Sequence, residues 1–129
     1  MAVINNTNIQ ILKYPGQMFG AKIQTPEVAL DNAQAAHFVI ESGEGTATQG
    51  KVQIMARRDG TDKESVLIRE EDITIGANTE NKIVVAAREI AHDEKCHVYL
   101  VIPNMNAANI VGCIFAVLTN ERYSTEPER

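Results

Sequence analysis

Apolar and polar residues alternate along several short segments of this chain, which is the pattern of β-strands with one buried face. Residues 51–58 (KVQIMARR) and residues 82–87 (KIVVAA) are the clearest examples, and residues 35–41 (AAHFVIE) form a compact apolar run of strand length. In the first of these segments we expect Val52, Ile54 and Ala56 to point inward, and in the second Ile83, Val85 and Ala87 share one face.

Two apolar segments lie in the last third of the chain, at residues 96–102 and 110–118. The loop between them, residues 103–109 (PNMNAAN), is short, so we predict that the two strands form an antiparallel hairpin. Both faces of each strand are largely apolar, which indicates strands at the centre of a sheet. A polar segment, residues 120–129, follows the second strand.

Turn residues separate the predicted strands. Asp59-Gly60 stands between residues 51–58 and a strand predicted at residues 63–68, and Asp-Gly is a strong hairpin signal because both residues tolerate positive φ. Residues 42–50 carry three glycines among small polar residues and predict a loop. Residues 69–75 (REEDITI) leave two alternatives open, a helical turn or a loop that leads into a short strand.

The first 34 residues are less regular than the rest. Residues 7–13 alternate weakly, and the prolines of Tyr14-Pro15-Gly16 and Thr25-Pro26 interrupt the pattern before a short strand at residues 28–30. This region is therefore either an edge of the fold or an extended arm.

Many short strands separated by turns predict an all-β fold. We predict a single-domain antiparallel β-sandwich with jelly-roll or immunoglobulin-like topology. Its parts are an N-terminal arm or edge region at residues 1–34, a sandwich core at residues 35–119 and a C-terminal tail at residues 120–129.

The charge of the chain excludes some partners. It has 12 basic and 17 acidic residues, a net charge of −5, and its longest basic run is Arg57-Arg58. Nucleic-acid binding requires clustered cations, so we expect no nucleic-acid partner. No apolar run reaches the roughly 20 residues of a membrane helix, and the N-terminus lacks the pattern of a signal peptide. We therefore expect no membrane partner and a cytosolic site of synthesis.

The residues that could carry chemistry are His92, Cys96, His97 and Cys113. Adjacent strand residues point to opposite faces, so Cys96 and His97 cannot bind one metal ion from a regular strand. The two cysteines fall in strands predicted to be neighbours, which makes a disulfide geometrically possible, but a reducing compartment favours free thiols. No nucleophile-and-base pattern surrounds either cysteine. We expect no metal, no cofactor and no enzymatic activity.

Four segments carry a resemblance to a protein class. An apolar strand ends in a small-residue loop at residues 36–43 (AHFVIESG), and a second strand leads to an Asp-Gly turn at residues 51–61 (KVQIMARRDGT). A late strand at residues 97–102 (HVYLVI) precedes an ending at residues 115–127 (FAVLTNERYSTEP). This pattern resembles small structural proteins encoded in the head-gene regions of tailed bacteriophages and prophages.

The resemblance implies a non-enzymatic virion protein that decorates or cements the capsid, is assembled in the cytoplasm of a bacterial host, and has the major capsid protein as its partner. A head vertex or head–tail joining component is an alternative. A carbohydrate-binding or host-surface-binding module of a tail or fibre is another, although a chain with no Trp, three Tyr and three Phe offers few aromatic side chains for sugar stacking. A small metal-dependent enzyme that uses His92 and the cysteines is the least favoured alternative.

We expect the capsid contacts of such a protein at the two ends of the chain, and a homo-oligomer, with a trimer favoured because shells offer three-fold positions. The expected contact residues are Ile9, Ile11, Tyr14, Met18, Phe19, Arg122, Tyr123 and Pro127.

Overall fold

The computed structural model describes residues 7–31, 34–58, 64–90 and 96–120, and these residues form nine strands and one short 3-10 turn. The turn spans Ala87–Glu89. The strands are β1 (Thr7–Gln17), β2 (Ile23–Gln24), β3 (Val28–Leu30), β4 (Gln34–Ser42), β5 (Thr48–Arg58), β6 (Val66–Ile75), β7 (Glu80–Ala86), β8 (Cys96–Ile102) and β9 (Val111–Asn120).

The strands form two antiparallel sheets, which confirms the predicted all-β sandwich. The first sheet has the order β1-β9-β4-β7, and the second has the order β2-β8-β5-β6 with β3 also paired to β8. The first strand therefore pairs with the last, β2 and β3 pair with β8, β4 pairs with β7, and β5 pairs with β6. This nested pairing, wrapped across two sheets, is jelly-roll topology, so the immunoglobulin-like alternative is wrong.

The inward faces of the strands form one hydrophobic core between the sheets. Val52, Ile54 and Ala56, which were predicted to point inward, are buried. The shared face of Ile83, Val85 and Ala87 is also buried, as are Cys96, Val98, Leu100 and Ile102 of β8. β8 lies between β5 and the β2–β3 pair, and β9 lies between β1 and β4, so both are central strands as predicted.

The predicted hairpin of the last two strands is wrong, because β8 and β9 belong to different sheets. The segment between them crosses one end of the sandwich, where the N–H groups of Met105 and Ala107 both donate to the carbonyl oxygen of Phe19. Apolar alternation defines which residues are strands but does not specify the partner strand. Cys96 and Cys113 consequently lie in opposite sheets, and both thiols are free in this structure.

The ambiguous segment at residues 69–75 is part of a single ten-residue strand, β6, which pairs with β5 over most of its length. Its charged residues suit a strand because β6 is an edge strand, where Asp72 pairs across the sheet with Lys51 and Arg69 binds Glu71. The Asp59-Gly60 turn that connects β5 and β6 lies outside the described residues, but the two strands are antiparallel as the turn predicted.

For the N-terminal region the sequence left two alternatives, an edge of the fold or an extended arm. From residue 7 onward, this region contributes edge strands to both sheets. Its core residues are Leu12, Met18, Phe19, Ile23, Val28 and Leu30. The hydrophobic core therefore begins well before residue 35.

Thr25 lies at the break between β2 and β3, where both its backbone and its side chain form hydrogen bonds with β8. These bonds lead to a first prediction. Thr25 is buried, its N–H donates to the Leu100 carbonyl oxygen, and its Oγ1 accepts a hydrogen bond from the Leu100 N–H at 3.0 Å. Thr25→Val keeps the shape but leaves that buried N–H without an acceptor, so we expect a loss of about 1–3 kcal/mol in the free energy of unfolding, measured by urea denaturation.

Thr25→Ser is the matched control, since it retains the hydroxyl and should keep most of the stability. Equal urea midpoints for Thr25→Val and the unmodified protein would contradict this role of the hydroxyl.

Candidate interaction surface

An apolar area on the outward side of the first sheet draws residues from all four of its strands. In one cross-strand row Ile11 lies beside Phe115, Phe115 lies beside Val39, and Val39 lies beside Lys82. The next row contains Ile9, Val117, His37 and Val84. We call this surface the apolar face and define it by six apolar residues of the outward side, of which Val39 is covered by its neighbours and only 5% exposed: Ile9, Ile11, Val39, Val84, Phe115 and Val117.

Strand periodicity explains why these residues face outward. On β9, Ile114, Ala116 and Leu118 point into the core and are buried, so the odd-numbered residues between them must lie on the opposite side. A two-layer sandwich covers only one side of each sheet. The second apolar side of β9 therefore remains on the surface, with Phe115 and Val117 half-buried by their neighbours.

Exposure rises toward both edges of the apolar face. Ile9 and Ile11 on β1 are 64% and 53% exposed, and Val84 on β7 is 44% exposed. The whole outward side of the sheet, taken as four strands spaced by about 4.8 Å and about 30 Å long, measures roughly 550 Å². The apolar face occupies two adjacent rows of that area, so it can form the centre of a standard interface, about 800 Å² per partner, but not the whole of one.

The polar groups on this side of the sheet bind to one another. His37 Nε2 lies 3.3 Å from Thr119 Oγ1, and the Cys113 thiol lies 3.7 Å from a carboxylate oxygen of Glu41. Exposed charges stand toward the margin, including Lys82 on the edge strand β7. An apolar centre with a charged margin is the usual arrangement of a protein interface.

The outward side of the second sheet carries ion pairs as well as apolar residues, among which Leu67 is 49% exposed. Arg57 donates two hydrogen bonds to the Glu27 carboxylate, at 2.7 and 3.2 Å, and His97 Nδ1 lies 3.8 Å from the same group. The hydrogen bond from Arg57 is the main reason that the pKa of Glu27 lies below its usual value. Lys51 and Asp72 form a further exposed pair at 2.7 Å. The charged groups on this side are therefore satisfied by one another, and an apolar row of Tyr99, Met55 and Leu67 lies beside them.

A shallow groove of about 550 Å³ also lies on the side of the second sheet. It is open to solvent, and the surface that its side chains expose is mainly apolar. The lining residues are Lys22, Lys51, Gln53, Glu70, Val101, Pro103 and Asn104. None of these lining residues is aromatic.

The residues predicted as capsid contacts fall into three groups in the structure. Ile9, Ile11 and Tyr14 lie on β1 and are exposed, Tyr14 to 74%. Met18 and Phe19 were expected at a contact, but both are buried. The structure places them in the turn after β1, where their side chains join the core and are not available to a partner. Arg122, Tyr123 and Pro127 lie outside the described residues.

Among the described residues, the thiols and imidazoles do not form a metal-ligand group. Cys96 is fully buried, and burial raises the pKa of its thiol; burial and the nearby Glu41 carboxylate raise the pKa of Cys113. Within residues 7–31, 34–58, 64–90 and 96–120, no three His, Cys, Asp or Glu side chains are arranged to hold a metal ion. His92 lies outside these ranges. In the same part of the chain, no helix is long and apolar enough to span a membrane.

Sequence reasoning missed most of the apolar face. It identified Ile9 and Ile11 but not the residues that extend the surface across the sheet, Val39, Val84, Phe115 and Val117. The apolar character of both sides of residues 110–118 was a usable signal, which the sequence interpretation assigned entirely to burial.

No protein-family model matches this chain, and no curated protein is significantly similar to it. Among solved structures, a chain from Bacillus endospore appendages, which are disulfide-linked pili, has a TM-score of 0.46 and 12% identity over 89% of this chain and 88% of its own. A chain from infectious bursal disease virus, Gx strain, has a TM-score of 0.46 and 11% identity over 89% of this chain and 33% of its own.

A chain from a CBM4 structure has a TM-score of 0.39 and 9% identity, over 89% of this chain and 67% of its own. At such low identities and TM-scores, these similarities carry no argument about function.

Proposed function

We propose that this protein is a non-enzymatic structural component of a bacteriophage virion, a decoration or cement protein that binds the head shell through the apolar face. The observation that supports the proposal is the contrast between the two outward sides of the sandwich. One has an apolar centre drawn from four strands, whereas on the other an apolar row lies among satisfied ion pairs. The proposed site of assembly is the cytoplasm of a bacterial host.

The shape and composition of the apolar face suit a large protein partner. A small ligand is usually held in a concave pocket, whereas a flat apolar area with a charged margin matches another protein surface. The partner we propose is the major capsid protein. A shell repeats the same site many times, so an oligomer that contacts several sites gains avidity from individually weak contacts.

The non-enzymatic part of the proposal rests on how the reactive side chains are used. Glu27 is bound to Arg57, His37 is paired with Thr119, and the Cys96 thiol is sealed in the core. Each of these groups is satisfied by a structural contact. A decoration protein needs such rigidity and no reacting group.

The test is binding to purified phage heads. We expect the unmodified protein to saturate heads and Val84→Lys to weaken that binding by about tenfold or more, since a lysine would place a hydrated charge within the buried interface. Val66→Lys is the matched control: Val66 is similarly exposed, at 55%, but lies on β6 in the second sheet, so its affinity for heads should be unchanged.

Absence of the protein from purified virions, together with no binding to heads, would refute the proposed function. Loss of binding by Val66→Lys alone would show that the wrong sheet has been assigned. The copy number in virions, from quantitative mass spectrometry, separates a shell protein present on the scale of capsid subunits from a vertex or head–tail joining component present in few copies.

The groove on the second sheet favours one alternative function, a carbohydrate-binding or host-surface-binding module of a tail or fibre. Lys22, Gln53, Glu70 and Asn104 offer the donors and acceptors that sugar hydroxyl groups require. The groove has no aromatic lining residue for stacking, which is why we place this function second. Glycan-array binding that is lost on Gln53→Ala and retained in Val84→Lys would support it over capsid decoration.

A further inference from the structure

The described sandwich has four edges, and three of them carry features that oppose pairing with another strand. An unprotected edge strand presents free N–H and C=O groups to any strand that approaches it, so most proteins block their edges. In the second sheet, one edge consists of β2 and β3, which are only two and three residues long and are separated by Pro26. Such short, interrupted strands offer little for a partner to extend.

Charge protects the next two edges. The other edge of the second sheet, β6, carries four consecutive charged residues, Arg69-Glu70-Glu71-Asp72. In the first sheet, the edge strand β7 carries Glu80 and Lys82, and the Arg69 side chain donates a hydrogen bond of 2.6 Å to its Val84 carbonyl oxygen. Pairing of another strand with β7 would have to compete with this contact.

Within the described residues, the fourth edge, β1, has protective features in only one of its halves. Beyond Leu12 the register with β9 shifts twice, and Pro15 removes a donor. Between Thr7 and Leu12 the pairing with β9 is regular through Ile11, and the segment has no charged residue and no proline. In this half, every second residue forms backbone hydrogen bonds with β9. The residues between them direct their N–H and C=O groups away from β9, toward the open edge.

The side chains of this half-strand are apolar on its outward side. Ile9 and Ile11 are the two members of the apolar face with the greatest exposure. The sequence Ile9-Gln10-Ile11 reads the same in both directions. In an antiparallel pair of two identical strands centred on Gln10, each isoleucine therefore lies opposite an isoleucine of the other copy.

We propose that β1 pairs with β1 of a second copy of this chain, antiparallel and around a two-fold axis at Gln10. Gln10 lies opposite Gln10 of the partner subunit, and Ile9 lies opposite Ile11 of the partner subunit. Directly opposed residues lie about 4.5–5.5 Å apart, so the four isoleucines contact one another on one side of the joined sheet. The register also places Lys13 beyond the isoleucine pairs, opposite Thr7 of the partner subunit.

Self-complementarity is the reason to assign the second copy as the occupant. An isologous interface requires one surface to match itself, and this edge does so in sequence, in side-chain type and in the absence of charge. Pairing two identical edges yields a closed dimer, whereas the trimer expected from the sequence would need two different complementary surfaces on each chain.

The pairing joins two four-stranded sheets into one eight-stranded sheet. Both apolar faces then lie on the same side, and the flat surface available to a partner is doubled. The inference goes beyond the proposed function and does not depend on it, because it concerns the purified protein alone.

The first test is the mass of the purified protein by sedimentation velocity over a wide range of concentrations. We expect a concentration-dependent dimer with twice the 14.2 kDa mass of the chain. Ile11→Lys should raise the dissociation constant by at least about tenfold, because each dimer would bury two lysines. Val84→Lys, at the opposite edge of the same face, is the matched control and should dimerise normally while losing head binding.

The second test fixes the register. In a Cys113→Ser background, Gln10→Cys should form a covalent dimer with oxidised glutathione as the oxidant, because residues opposed across the two-fold axis have Cα atoms within disulfide range. Lys82→Cys on β7 should remain monomeric in the same assay. Cys96 is fully buried and should not interfere.

A monomer at all concentrations would overturn the inference, and so would a dimer that Val84→Lys disrupts and Ile11→Lys does not. Growth into open-ended oligomers would also overturn it, since that result requires pairing between different edges. A protein that dimerises through Gln10→Cys but never binds heads would leave the dimer in place and refute only the proposed function.

Discussion

Gly112→Ala is expected to reduce the free energy of unfolding by at least about 3 kcal/mol, because the new methyl group has no space. A Cβ at this position would lie 2.5 Å from the Glu41 carbonyl oxygen and 2.5 Å from Cε2 of Phe19. The Glu41 oxygen belongs to β4, which is paired with β9 over nine residues, so it cannot retreat without distorting the centre of the first sheet. The measurement is urea denaturation followed by circular dichroism.

The control for this substitution lies directly across the sheet. Gly16 on β1 is paired with Gly112, but a Cβ added at Gly16 meets nothing within 4 Å. Gly16→Ala should therefore change the free energy of unfolding by no more than about 1 kcal/mol, with a stabilising contribution from the reduced freedom of the unfolded chain. Similar urea midpoints for the two variants would contradict the packing of Phe19 and Glu41 around Gly112.

The features of the fold that depend on neighbouring residues in the chain were largely predictable from the sequence. Alternation in residues 51–58 and 82–87 specifies which side chains enter the core, because side-chain direction follows directly from strand geometry. The partner of each strand is not local. Residues 96–102 and 110–118 are neighbours in sequence, yet in a jelly roll they pair with strands from the first half of the chain.

The candidate surface was harder to predict for the same reason. The apolar face is assembled from β1, β9, β4 and β7, which are far apart in sequence and become adjacent only through the jelly-roll order. Ile9 and Ile11 could be found because they lie on a weakly alternating N-terminal strand. Val84 could not, since one exposed valine on an edge strand carries no signal until its row neighbours, Val117 and Ile9, are known.

The buried position of Phe19 shows a different limit of sequence reasoning. Phe19 lies in a turn, outside any strand, and an apolar residue without periodic neighbours fits a surface contact as well as a core position. The structure shows that its ring packs against Gly112 and that its carbonyl oxygen accepts the hydrogen bonds that anchor the β8–β9 connection.

Phe19→Ala is expected to lower the free energy of unfolding by about 3–5 kcal/mol, because it removes a fully buried ring. The substitution leaves a cavity at the end of the sandwich that the β8–β9 connection crosses. Against a total stability of about 5–15 kcal/mol for a domain of this size, such a loss is severe. Tyr14→Ala is the matched control: this aromatic residue is 74% exposed, so its removal should change stability by about 0.5 kcal/mol or less.

Combining Phe19→Ala with Gly112→Ala tests whether the effects of the two substitutions on the free energy of unfolding are coupled. In a Phe19→Ala background one of the two obstacles to a Cβ at Gly112 is gone, while the Glu41 carbonyl oxygen remains. Gly112→Ala should therefore cost less than in the unmodified protein, by about 0.5–3 kcal/mol, without becoming neutral. Additive losses in a double-mutant cycle would mean that the ring does not pack against Gly112, and Phe19 would then stabilise the fold through its other core contacts alone.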